Sequence, residues 1–112
     1  MSTNSKIAFA VQQSFKDELR KHIIQGGYGF RGKSKWISEA VESLLLIKDY
    51  PALISYNDEM YGFDKIETAV IDYSLKLKIE KAIIHIRKEF PTMEGVKSRI
   101  LRTAIMQRIL RS

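Results

Sequence analysis

The sequence predicts a mainly α-helical fold with one two-stranded antiparallel ribbon, in the order β-α-α-β-α-α. Three observations predict it. Lys6–Gln12 alternates, with Ile7, Phe9 and Val11 on one side, and Ile66–Asp72 is rich in β-prone residues; both read as strands. Each is followed by two stretches whose apolar residues recur every three or four positions, the stripe of an amphipathic helix. The two halves also superpose. Val11-Gln12-Gln13-Ser14-Phe15-Lys16 lies over Ile71-Asp72-Tyr73-Ser74-Leu75-Lys76 at an offset of 60. Lys33-Ser34-Lys35-Trp36-Ile37-Ser38-Glu39-Ala40-Val41 lies over Lys97-Ser98-Arg99-Ile100-Leu101-Arg102-Thr103-Ala104-Ile105 at an offset of 64.

In chain order, Met1 to Ser5 is polar and expected to fray. Ser14 reads as a helix N-cap, with Asp17 and Glu18 in the first turn, where the helix dipole favours anions. Phe15, Leu19 and Ile23, with Ile24 beside them, form the first stripe, and Gly26-Gly27 ends it. Ser34 caps a second helix over about 35–47, carrying Trp36, Ile37, Ala40, Val41, Leu44 and Leu45, with Glu39 and Glu42 on the wet side. Asp49-Tyr50-Pro51 breaks it. Residues 51–64 are too apolar for a plain linker; a helical turn from Pro51 and a loop packed on the core are expected. Ser74 then caps a helix with Leu75, Ile79, Ala82, Ile83, Ile86 and Phe90, stopped by Pro91. Ser98 caps the last, with Ile100, Leu101, Ala104, Ile105, Ile109 and Leu110. One strand and two short helices cannot bury their apolar faces alone, but two copies can. The expected organisation is therefore a first unit at 1–48, a packed connector at 49–64 and a second unit at 65–112, sharing one core as a single domain.

Composition narrows the function. At 112 residues, 45% hydrophobic and 29% charged, the chain is a folded composition with room for one core. No apolar run is long enough to span a bilayer, and the first residues lack the cationic and apolar regions of a signal peptide. A cytoplasmic place and no membrane partner are expected. Cysteine is absent, and His22 and His85 stand far apart, so neither a thiol site nor a metal site is expected. The net charge of +6 is even: eight Lys/Arg against five Asp/Glu in 1–56, eleven against eight in 57–112. A basic balance suits a polyanion such as nucleic acid.

One motif invites an enzymatic reading. Gly27-Tyr28-Gly29-Phe30-Arg31-Gly32-Lys33-Ser34 fits the letters G-x-x-x-x-G-K-S of a nucleotide-binding loop. That loop works only when a buried strand of a parallel sheet feeds it. Here the preceding Leu19-Arg20-Lys21-His22-Ile23-Ile24-Gln25 reads as helix, and Ala69-Val70-Ile71-Asp72 stands alone as a mimic of the metal-binding strand. The second copy, Glu94-Gly95-Val96-Lys97-Ser98-Arg99, keeps Lys-Ser and drops the glycine spacing. What repeats is a helix N-terminus with Lys-Ser-basic and an alanine six positions after the serine. No enzymatic activity and no cofactor are expected.

With its strand–helix phasing and the run Lys33-Ser34-Lys35-Trp36-Ile37-Ser38-Glu39-Ala40-Val41, the chain resembles the ribbon-helix-helix DNA-binding proteins over about residues 6–47 and 65–110. That family includes the Arc and Met repressors and many antitoxins. Most members are homodimers; a tandem single-chain copy is similar to accessory proteins of conjugative transfer, on plasmids or other mobile elements. The resemblance implies a monomeric pseudo-dimer, able to associate further on DNA, whose ribbon lies in the major groove of double-stranded DNA. It further implies base readout from Lys6, Ala8, Ala10 and Gln12 of the first strand, and from Thr68 and Val70 of the second. Ala8 and Ala10 offer only apolar contact, such as with a thymine methyl. In the second strand two phases remain open: aligned on Ser74, Ile66, Thr68 and Val70 face out and Glu67 faces in; the opposite phase buries Val70 and exposes Glu67 and Ile71. The implied phosphate clamps are Lys33, Ser34 and Lys35, and Lys97, Ser98 and Arg99. Other positive side chains of the last helix, Arg102, Arg108 and Arg111, are expected either to extend that footprint or simply to solvate the helix. The function implied is a transcriptional repressor, associated with the nucleoid. The alternatives are an accessory protein that binds and bends DNA at a transfer origin or partition site, and an antitoxin-like module that holds a protein partner through connector 49–64 with Tyr50, Tyr56 and Tyr61.

Overall fold

The computed structural model describes residues 3–56 and 62–111. Its elements are β1 (Asn4–Val11), α1 (Gln13–Gln25), a single 3₁₀ turn at Phe30–Gly32, α2 (Lys33–Leu45), α3 (Tyr50–Tyr56), β2 (Lys65–Asp72), α4 (Tyr73–Glu89) and α5 (Val96–Arg111). The described residues are thus mainly helical, with five α-helices and a two-stranded antiparallel sheet.

The strands pair from Asn4 opposite Asp72 to Val11 opposite Lys65, with Ala8 opposite Thr68 at the middle. Period-two burial follows from the pleat. Ile7, Phe9, Val11, Ala69 and Ile71 are buried, while Lys6, Ala8, Ile66 and Val70 are exposed. The phase of the second strand is therefore the one with Ile66, Thr68 and Val70 outward. Glu67 points inward at 8% exposure. A carboxylate there is tolerable because it is paired: Lys33 Nζ lies 2.7 Å from Glu67 Oε1, which also accepts the Thr68 N–H at 3.0 Å.

The inner sheet face and the helix stripes merge into one core. Phe15, Leu19 and Ile23 of α1, Trp36, Ile37, Val41 and Leu44 of α2, and Ile54 of α3 join it. So do Leu75, Ile79 and Ile86 of α4 and Ile100, Leu101 and Ile105 of α5. The connector supplies Pro51 and Ile54 from α3, which begins one residue before Pro51, where a proline is compatible with the first turn. Two stripe residues fall outside the core: Ile24 is 56% exposed and Leu110 71%. Each lies near the end of its helix.

The four helices expected to start at a serine cap, α1, α2, α4 and α5, all begin before it. Ser14, Ser34 and Ser74 are second residues of their helices and Ser98 is the third. Before Ser74 the cap is Asp72, whose Oδ1 accepts the Leu75 N–H at 2.8 Å. Asp17 and Glu18 accordingly lie beyond the first turn of α1. The connection from α1 to α2 needs its glycines. Gly27 sits at φ +79, and a Cβ on Gly32 would lie 2.4 Å from the Cβ of Tyr28.

Candidate nucleic-acid interface

A two-stranded ribbon has two free edges, whose backbone groups need partners. Here four of those groups are met by side chains from the first turns of helices and from α5. Ser34 Oγ, at the start of α2, accepts the Val70 N–H of β2 at 2.8 Å. Ser98 Oγ, at the start of α5, accepts the Ala10 N–H of β1 at 3.4 Å. Lys16 Nζ donates to the Ile66 carbonyl at 3.0 Å, and Arg102 Nη1 to the Ala10 carbonyl at 2.9 Å. The attachment is crossed: α2 follows β1 in sequence but binds β2, and α5 follows β2 but binds β1. Both helix N-termini, where backbone N–H groups and the positive dipole end collect, are thereby fixed beside the ribbon. A serine hydroxyl that accepts one bond still has its own O–H to donate.

The outer ribbon face is a short ladder of side chains. Lys6 stands opposite Val70, Ala8 opposite Thr68 and Ala10 opposite Ile66. Lys6 and Ala8 are exposed; Ala10, Thr68 and Gln12 are half-buried. Val70 is 47% exposed and Ile66 57%. Lys6 is the one charged side chain of those three pairs. Of the expected base-reading residues, Lys6, Ala8, Ala10, Thr68 and Val70 share this face, and Gln12 lies just past the end of β1.

The expected clamp cations fall into different situations. Lys35 and Lys97 are exposed and Arg99 is half-buried. Lys33 is engaged by Glu67, so its charge is offset within the protein. The last helix departs further from expectation. Arg102 does not extend a surface footprint; it is buried, with its guanidinium 4.1 Å from the centre of the Phe63 ring. Arg108 sits between Tyr28 and Trp36, 5.2 and 4.5 Å from their ring centres. It donates to Trp36 O at 2.8 Å, Glu39 Oε1 at 3.1 Å and Tyr28 Oη at 2.8 Å. The Tyr28 hydroxyl in turn donates to Glu39. That hydrogen bond, and then Arg108, hold the Glu39 carboxyl below the usual glutamate range, against an opposing effect of burial. Glu39, expected on the wet side, is half-buried in this network, which ties the glycine-rich turn and α2 to the far end of α5. Arg111 is exposed.

Elsewhere, the nucleotide-loop letters follow helix α1 rather than a strand. Of the connector tyrosines, Tyr50 is half-buried, with Oη 3.0 Å from His85 Nδ1. Burial, and then the charge of Glu89, push its hydroxyl pKa up. Tyr56 is exposed, and Tyr61 lies outside the described residues. A cavity of about 390 Å³ opens between α1 and the Lys33–Glu67 pair, with Leu19, Ile23 and Ile24 on its wall. Among the described residues, no three His, Cys, Asp or Glu side chains gather as a metal site would need, and no helix is long and apolar enough to cross a membrane.

Sequence reasoning missed Arg102 and Arg108 as structural residues. A cation on an apolar helix side was the available signal: Arg102 falls directly after Ile100 and Leu101 in the buried run Ile100–Ile105. No protein-family model, curated protein or solved structure matches the chain.

Proposed function

We propose that this chain is a double-stranded DNA-binding protein, a tandem ribbon-helix-helix pseudo-dimer that acts as a transcriptional repressor by occupying its site. One observation carries the reading: the N-termini of α2 and α5 are bound crosswise to the two edges of the same ribbon, through Ser34 to Val70 and Ser98 to Ala10. Such a ribbon can enter a major groove while the two helix N-termini meet the phosphates on either side. The register supports the tandem reading. Ala8 and Thr68 stand opposite each other and are also related by the sixty-residue offset of the two halves. An approximate two-fold axis through that pair exchanges Lys6 with Ile66 and Val70 with Ala10. The +6 net charge fits a polyanionic partner.

A second reading, an accessory protein that binds and bends DNA at a transfer origin or partition site, is favoured by the apolar character of Ala8, Ala10, Ile66 and Val70. That face offers few hydrogen bonds to bases.

The test is fluorescence anisotropy of a labelled duplex of mixed sequence, titrated with protein across a range of salt concentrations. Binding that weakens steeply with salt, and is stronger for duplex than for single strands, is expected. No binding at low salt would refute the reading.

A further inference from the structure

We infer that the DNA site of this protein is directional: one half is read through a base hydrogen bond, and the other is gripped through its phosphates. The inference rests on the proposed DNA-binding reading and sharpens it. A symmetric protein reads a palindrome because equivalent residues meet both half-sites. Here the residues exchanged across the Ala8–Thr68 pair are chemically unlike.

On one side of that pair the outer face carries Lys6 and Val70. Lys6 is exposed and brings a flexible ammonium that can donate to the O6 and N7 acceptors of guanine. The helix N-terminus bound to this side is that of α2, through Ser34 to Val70. Its Lys33 is held 2.7 Å from the Glu67 carboxylate, which leaves the exposed Lys35 to carry this clamp, so this side reads bases and has the weaker phosphate grip.

On the other side the face carries Ala10 and Ile66, neither with a side-chain donor or acceptor, and Gln12, just past the strand end, is half-buried with its Oε1 accepting from Ser14 Oγ at 3.5 Å. Apolar side chains in the major groove distinguish bases only through contacts such as the thymine methyl. The helix N-terminus bound here is that of α5, through Ser98 to Ala10. Its Lys97 is exposed and makes no ion pair or hydrogen bond among the described residues. Lys16, fixed on the Ile66 carbonyl, adds a second cation to this side. This half therefore has the stronger phosphate grip and the weaker base readout of the two.

Selection of bound duplexes from a random pool, followed by sequencing, tests the inference. The expected motif is not palindromic. One half holds a sharply preferred guanine and the other a shallow preference for thymine-bearing pairs. A palindromic motif with equal information in both halves overturns the inference and leaves the DNA-binding reading standing. Binding without any enriched sequence overturns the inference in the same way, and an absence of binding overturns both. Two exposed-residue variants, checked for folding by circular dichroism, divide the roles. Lys6→Ala is expected to cost on the order of tenfold in discrimination for the guanine, with the other half unchanged. Lys97→Ala is expected to flatten the salt slope by about 0.9, while Lys33→Ala leaves it near the wild-type value. Equal loss of slope in the two lysine variants contradicts the assignment of the grip to α5.

Discussion

Ser34 Oγ accepts the backbone N–H of Val70 at 2.8 Å, which places a residue of the first helix pair on the strand of the second half. The bond satisfies an edge group of the ribbon and sets the height of α2 against it. Ser34→Ala leaves that N–H to water and is expected to lower stability by about 1 kcal/mol in urea unfolding, with the denaturant slope unchanged. Ser98→Ala, whose bond to Ala10 is longer at 3.4 Å, is expected to cost less. A larger loss at Ser98 would contradict this weighting of the two attachments.

The Arg108 network predicts a pH dependence. Glu39 has a folded-state pKa below its ordinary value of 4.5, because Tyr28 and Arg108 favour the carboxylate. A depressed carboxylate contributes stability that is fully present above its unfolded pKa and is lost as pH falls through the folded one. Stability is therefore expected to fall with acid below about 4.5, and Glu39→Gln is expected to fall less steeply over that window. Melting temperatures of the two proteins across an acid series check this; parallel curves would refute the role given to Glu39. Arg108→Leu keeps the apolar contact and removes the guanidinium, and is expected to cost about 1–2 kcal/mol.

Glu67 occupies the inward position that Ile7 holds sixty residues earlier. Replacing a buried ion pair by apolar residues is often neutral or stabilising, whereas removing one partner is costly when the other charge stays buried. Glu67→Ile is expected to melt no lower than wild type, since Lys33 is partly exposed and can turn to water. It also releases Lys33 to a phosphate, so the salt slope of DNA binding is expected to steepen by about 0.9. Stability and salt slope measured on the same preparation separate these two effects.

Much of the fold was legible because it rests on periodicity. The stripes of Phe15, Leu19, Ile23 and of Leu75, Ile79, Ile86 are local patterns, and the structure buries them. Helix starts were less legible. Serine is a good cap in isolation, but Asp72 stands two residues ahead of Ser74, and the hydroxyls of Ser34 and Ser98 are taken by strand edges far off in sequence. The candidate site divides in the same way. The outward set on β1 followed from alternation. The pairing of Lys33 with Glu67, and the burial of Arg102 against Phe63, depend on residues 34 and 39 positions apart, which no local pattern carries.

The most direct measurement is the change in backbone amide NMR shifts when an unlabelled duplex is added to the isotopically labelled protein. Perturbation is expected to concentrate at Lys6, Ala8, Thr68 and Val70 on the ribbon and at residues 33–35 and 97–99 of the two helix N-termini. Shifts confined to α3 or to the outer side of α4, or no shifts at all, would contradict this interface.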